Sequence, residues 1–131
     1  MQEETAGAAG TPAFAAPEQL LGEPQDASAD TFSLGGVVYF TLAGAPPFGE
    51  SDPKVILGRM LSGQLDVSAF DPPIGEWLRR AVAANQADRF ADAAEMQRAW
   101  RDAVRWVLDR GTGVPWWRRF FSGEYDAIEA R

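Results

Sequence analysis

Proline and glycine divide the chain into apolar stretches whose spacing predicts mostly helices. "PEQLLG" places Pro17 in a first-turn position and stops at Gly22, which predicts a short helix. "EPQDAS" reads as a loop. The most apolar stretch, "ADTFSLGGVVYFTLAGAPPF", is closed by Gly44 and the pair Pro46-Pro47. Its centre, "VVYFTL", has strand propensity. Its length, about fifteen residues from Ala29, favours a helix, and a helix apolar on every side belongs inside a core. "DPKVILGRMLSG" has Pro53 just inside its start and Gly63 at its end, again a short helix. From Ile74 to Ala84, Ile74, Trp77, Leu78, Ala81 and Val82 recur at helical spacing. "DAAEMQRAWRDAVRWVLDRG" opens with Asp92 and Glu95 at capping-box spacing. It lines Met96, Trp100, Val104, Val107 and Leu108 along one face and is expected to end at Gly111. Residues 1–12 are small and polar and read as loop. There is no internal repeat or low-complexity tract, so the expected fold is mainly α.

Composition narrows the function classes. A chain of 131 residues fits one domain and buries roughly two-thirds of its unfolded surface. Hydrophobic residues make up 46%, enough for a packed core. A net charge of -7 argues against nucleic acid as the main partner. The absence of cysteine excludes disulfides and thiolate chemistry and fits a cytoplasmic location. No apolar run reaches the roughly 18 residues of a spanning helix, and there is no signal-peptide pattern at the N-terminus. Histidine is absent, which removes histidine-dependent triads, zinc sites and proton shuttles from this chain.

Charge is unevenly placed. Between Met1 and Asp30 stand Glu3, Glu4, Glu18, Glu23, Asp26 and Asp30 with no base, whereas most arginines lie after Arg79. Solvated acidic and basic faces are one reading. Pairing of early carboxylates with late arginines is the other.

The elements, with "GTPAFAAPE", "ADTFSLGGVVYFTLAGAPPF" and "NQADRFADAAEM" in that order, resemble the second half of a protein kinase domain, in particular the large (C-terminal) lobe of bacterial serine/threonine kinases. "GTPAFAAPE" is similar to the end of an activation segment, with the Ala-Pro-Glu signature at Ala16, Pro17 and Glu18. "ADTFSLGGVVYFTLAGAPPF" resembles the buried central helix and its proline turn, with Asp30 as the early aspartate. "NQADRFADAAEM" resembles the segment before the last helix, which carries an arginine, here Arg89. Asn85-Gln86 stands where the family often has Asp-Pro. The resemblance covers about residues 5–108. It implies an activation-segment remnant over 1–12, a helical lobe segment over 13–110 and an aromatic, acidic tail over 111–131.

The resemblance also implies roles. Glu18 would pair with Arg89 and tie the activation segment to the base of the lobe, where an arginine fork suits a partly dry carboxylate. Asp30 would brace the catalytic loop through its backbone, and is equally a first-turn acid facing the helix dipole. Gly10, Thr11 and Pro12 would shape the floor under a substrate peptide, with Thr11 placing the substrate hydroxyl. Otherwise Thr11 is a turn residue. Thr5 is a candidate phosphosite, with Glu3 and Glu4 as alternative sources of negative charge.

Other parts of a kinase do not occur in the sequence. Phosphoryl transfer needs a Gly-rich loop, a strand lysine, a catalytic-loop aspartate and asparagine, and Asp-Phe-Gly. No G-x-G-x-x-G, His-Arg-Asp or Asp-Phe-Gly is present, and the one lysine, Lys54, follows the proline turn. The chain alone is therefore expected to hold no ATP, magnesium or other metal and to have no catalytic residue of its own. A gene cut short, or a true start upstream of Met1, would account for this. An exposed apolar patch is expected where the rest of the lobe would sit. In the tail, Trp116, Trp117, Phe120 and Phe121 surround Arg118 and Arg119. They are suited to folding back over that patch, to docking a partner, or to a membrane surface, against which the acids from Glu124 to Glu129 count. The function expected is that of a large-lobe segment of a serine/threonine protein kinase, with a protein substrate or a partner kinase lobe. The alternative is a non-catalytic, kinase-like protein-interaction module.

Overall fold

In the computed structural model, residues 12–112 are described, and side chains over 13–109. Thr5, Gly10, Thr11 and the tail aromatics Trp116, Trp117, Phe120 and Phe121 lie outside the described residues. Five α-helices and two 3₁₀ turns occur among the described residues, with no strand. A 3₁₀ turn, Pro12–Phe14, leads into α1, Pro17–Leu21; then come α2, Ala27–Ala43, α3, Pro53–Leu61, and α4, Pro72–Ala81. A second 3₁₀ turn, Gln86–Asp88, precedes α5, Ala93–Thr112. The ambiguous centre of the apolar stretch, residues 37–42, is thus helical.

Local chemistry sets the ends. α1 closes at Gly22, whose φ of 69° is the left-handed conformation that glycine adopts without a Cβ penalty. There the Glu23 N–H reaches the Glu18 carbonyl at 2.8 Å and the Gly22 N–H reaches that of Gln19 at 3.3 Å. α2 starts two residues before the expected Ala29. Asp26 is its N-cap and accepts from the Ser28 N–H at 2.8 Å, so part of the apparent loop is a helix start. α3 starts at Pro53 behind the Asp52 cap. α4 begins at Pro72, before Ile74, and ends at Ala81, short of Ala84. At α5 the cap is half of the expected box: Asp92 accepts from the Glu95 N–H, but Glu95 reaches back to the Ala91 N–H. α5 also continues past Gly111, where a stop is expected.

The core gathers around α2. Phe32, Ile56, Met60, Leu78 and Phe90 are its largest fully buried side chains. Trp77 of α4 meets Phe90 and Trp100 with ring centroids 5.6 and 4.8 Å apart. Its indole N–H is satisfied by the Met96 carbonyl at 3.0 Å, which joins α4 to α5. Tyr39 of α2 donates to the Asp66 carbonyl at 2.7 Å and fixes the loop before α4. On α5, Met96 and Ala103 are buried and Trp100, Val104 and Val107 half-buried, while Leu108 is exposed.

Two adjacent glycines let α2 contact two neighbours closely. A Cβ on Gly35 would stand 2.5 Å from the Ala81 Cβ of α4. One on Gly36 would stand 3.2 Å from the Phe14 ring of the first 3₁₀ turn. The other side of α2 is open, an apolar patch of the kind expected from the sequence: Leu34, Val37, Phe40 and Leu42 are 43–49% exposed. The helix is apolar all round, and the open side has few described neighbours beyond Phe14, which is set edge-on to Phe40.

Substitution of these glycines should separate packing from backbone effects. Gly35→Ala is expected to cost about 1–3 kcal/mol by overpacking against Ala81. Gly58→Ala, in α3 with open space around its Cβ position, should stabilise by about 0.5–1 kcal/mol. Urea melts read both. Equal effects would refute the close contact of α2 with α4.

Candidate functional site

Glu18 and Arg89 come together from opposite ends of the described chain. Glu18 lies in the first turn of α1, set there by Pro17 and by Gln19, whose Oε1 accepts from the Ala16 N–H at 2.7 Å. Arg89 is the residue immediately after the Gln86–Asp88 turn, whose start is capped by Asn85 accepting from the Ala87 N–H at 3.0 Å. Each residue is 3% exposed. The two guanidinium NH groups grip the two carboxylate oxygens in parallel: Nη1 to Oε2 at 2.7 Å and Nη2 to Oε1 at 2.9 Å. This is the bidentate fork that arginine provides and lysine does not.

The remaining donors of Arg89 are also used. Nε donates to the Ala83 carbonyl at 2.7 Å, and Nη2 donates a second time, to the Ala84 carbonyl at 3.0 Å. Nη1 makes longer contacts with the Ser28 carbonyl and hydroxyl, at 3.4 and 3.3 Å. Ser28 is itself buried, and its hydroxyl donates to Asp26 at 2.6 Å. The Phe32 ring lies 4.8 Å from the guanidinium carbon, a cation–π approach. All five N–H donors of the buried cation therefore have a partner. Burial pushes the Glu18 carboxyl up, but the Arg89 hydrogen bonds, a backbone N–H and the Arg89 charge together outweigh it, and the net direction is down from 4.5.

The other site residues have separate surroundings. Asp30 is exposed in the first turn of α2, near the pair in sequence but outside it. Pro12 opens the first 3₁₀ turn, which is fixed to α2 by the Ser33 hydroxyl donating to the Phe14 carbonyl at 2.8 Å and by Phe14 set edge-on to Phe40. Sequence reasoning missed Ser28, Asp26 and the carbonyls of Ala83 and Ala84. The Asp-x-Ser spacing at 26–28 is the signal that would have found the first two; backbone carbonyls leave no sequence signal. Among the described residues there is no cluster of acids able to hold a metal ion and no helix long and apolar enough to cross a membrane.

The chain is 32% identical over 100 residues to Serine/threonine-protein kinase PknF of Mycobacterium tuberculosis, a match covering 69% of this chain and 20% of that protein. It is 35% identical over 99 residues to Serine/threonine-protein kinase PknB of Mycolicibacterium smegmatis, covering 72% and 16%. It is 29% identical over 127 residues to the Calcium/calmodulin-dependent protein kinase type II alpha chain of Drosophila melanogaster, covering 87% and 23%. The chain thus spans 16–23% of the length of these relatives. No family model matches it.

The pair makes two energetic predictions. Glu18→Ala and Arg89→Ala should each cost roughly 3–5 kcal/mol, since each strands a buried charge, and the double change should cost much less than the sum. Losses that simply add in a four-protein urea cycle would mean the two side chains are uncoupled. The second concerns acid. A carboxyl whose folded pKa lies below its unfolded value contributes stability that is complete above about pH 4.5 and is lost as pH falls through the folded value. Asp26, Asp66 and Glu95 are shifted down as well and act in the same direction. Glu18→Gln should therefore flatten, without abolishing, the fall of stability below pH 4.5. Parallel curves for parent and variant would contradict the assignment.

Proposed function

The chain is a serine/threonine protein kinase-like segment with a helical large-lobe fold, and from that premise we propose that it serves as the substrate-side base of such a kinase without being catalytically competent alone. The observation that carries this reading is the buried, bidentate Glu18–Arg89 pair, which stands where the Ala-Pro-Glu motif and the arginine before the last helix meet in the kinase resemblance. In this role the pair holds the end of the activation segment against the lobe. Gly10, Thr11 and Pro12 form the floor for a substrate peptide, with Thr11 beside the substrate hydroxyl. Asp30, solvent-exposed at the start of α2, offers its carboxylate to the backbone of a catalytic loop. Residues 1–12, 13–110 and 111–131 act as activation-segment end, lobe and tail. The complete kinase would phosphorylate serine or threonine on a protein substrate in the cytoplasm.

The second reading, a non-catalytic kinase-like interaction module, is favoured by the open apolar side of α2 at Leu34, Val37, Phe40 and Leu42. Such a row supplies a docking face for a partner, such as a kinase lobe.

Both readings expect the chain by itself to bind no Mg-ATP and to transfer no phosphate, because no Gly-rich loop, His-Arg-Asp or Asp-Phe-Gly occurs in it. Calorimetry and a radiolabel transfer assay test this, and micromolar Mg-ATP binding that depends on this chain's residues would overturn it. Thr5 should acquire phosphate only when an active bacterial serine/threonine kinase is added, as read by mass spectrometry. Phosphate on Thr5 after incubation with ATP alone would contradict the proposal.

A further inference from the structure

We propose that the cleft between α2 and α5 is the contact surface of a symmetric dimer, with a second copy of this chain as its occupant. This deepens the interaction-module reading and rests on it. Two packings set the cleft. α4 runs antiparallel to α5, since Arg80 meets Glu95 at 2.6 Å near one end and the rings of Trp77 and Trp100 meet at 4.8 Å farther on. α4 also runs antiparallel to α2: Ala81 lies against Gly35, while Gly75 packs on Val67, next to Asp66, whose carbonyl holds Tyr39. α2 and α5 therefore point the same way on either side of α4, with Trp77 between them. Leu34 and Val38 form one wall, Met96 and Trp100 the other, and the space between them is about 200 Å³.

The cleft is part of a longer apolar surface. Leu34, Val38 and Leu42 recur at i, i+4 and i+8, one stripe along α2. Val37 lies beside them, and Leu34, Val37 and Leu42 are 46–49% exposed. An exposed apolar row of this kind marks a contact surface. The walls of the cleft are aliphatic and aromatic, and Gln97 is the one polar side chain among its lining residues. That lining favours an apolar side chain from outside over water or a polar ligand. Leu34 and Val37 of a second copy are such side chains, already exposed and at the level of the cleft.

Charge selects the second copy. Asp30 lies one turn before Leu34, about 6 Å along α2, and Arg101 one turn after Gln97, about 6 Å along α5. Because the two helices point the same way, the acid stands at one end of the cleft and the base at the other. Both are exposed, and neither forms an ion pair among the described residues. A two-fold axis through the cleft reverses this order in the second copy. Asp30 of each copy then faces Arg101 of the other, so the surface is complementary to itself, as an isologous contact requires. A partner of one charge sign, acidic or basic, would match one end and oppose the other. The patch is small beside the standard interface of about 800 Å² per partner, so a dissociation constant in the micromolar range is expected.

Sedimentation equilibrium of the full chain, from low micromolar to near millimolar concentration, tests the assignment. It should show a monomer–dimer equilibrium. Leu34→Glu, an exposed change, should weaken the dimer by an order of magnitude or more while leaving the circular dichroism spectrum unchanged. Asp30→Arg and Arg101→Asp should each weaken it several-fold, by setting like charges opposite one another. Both reversals in one chain should restore it, which a change that merely disturbs the fold would not do. A monomer at every concentration, a dimer indifferent to Leu34→Glu, or no recovery in the double reversal would each overturn the proposal. Mg-ATP binding with phosphate transfer would instead defeat the interaction-module reading, whatever the oligomeric state, so the two failures are told apart.

Discussion

The Glu18–Arg89 ion pair joins residues 71 positions apart, and the arrangement of α1, α2 and the loop before α5 depends on it. Taking two charges out of water costs several kcal/mol per ion, and their attraction alone does not reliably repay that. What makes the pair tenable here is saturation. The carboxylate receives two parallel bonds, and the guanidinium spends its remaining hydrogens on the carbonyls of Ala83 and Ala84 and on Ser28. The contribution is therefore chiefly one of specificity. Any arrangement that shifts α1 or the Ala83–Arg89 loop leaves at least one buried charge without its fork, a larger loss than misplaced apolar contacts would give.

From that anchor the constraint passes along α2. Ser28 touches Arg89 and sits in the first turn of the helix, so the pair fixes where α2 begins. Four residues on, Phe32 lies under the guanidinium and stacks near Phe48, with centroids 6.4 Å apart, which ties the proline turn to the same point. Gly35 and Gly36 follow and bring α4 and the first 3₁₀ turn into close contact. Each glycine weakens an isolated helix by up to about 1 kcal/mol relative to alanine, a cost the close contacts must offset. The glycine pair in a helix interior is thus explained by packing on two sides, and not by flexibility.

Much of this was legible in the sequence, though not from one kind of signal. Proline starts and glycine stops located α1 and α3 well, because those residues act through their own backbones. The ion pair was not legible from charge spacing, since a solvated Glu18 and a solvated Arg89 have the same local sequence; the order of motifs pointed to it. The start of α2 was misread because aspartate and serine serve loops and caps equally, and only the structure tells which backbone N–H the Asp26 carboxylate meets. Ala103 escaped the apolar stripe of α5 because a small residue adds little to a periodic pattern, although it is buried where α5 closes on α4. Gly111 failed as a stop because glycine ends a helix only where the chain takes the left-handed turn. Which side of α2 stays open was not legible, although an exposed apolar patch was expected. Apolar periodicity reports which faces avoid water, but occupancy of those faces depends on neighbours.

The same chain of contacts connects the anchor to the proposed substrate side. Phe14 is held by three kinds of contact on α2: the Ser33 hydroxyl on its carbonyl, the Phe40 ring at its edge, and Gly36 beneath its ring. None depends on residues before Pro12. The point at which the chain enters the lobe is thus set by α2, and α2 is set by the ion pair. A floor for a substrate peptide needs a fixed edge more than it needs fixed residues, because binding energy is lost if the platform must first be ordered. The pair positions the helix, and the helix positions Phe14.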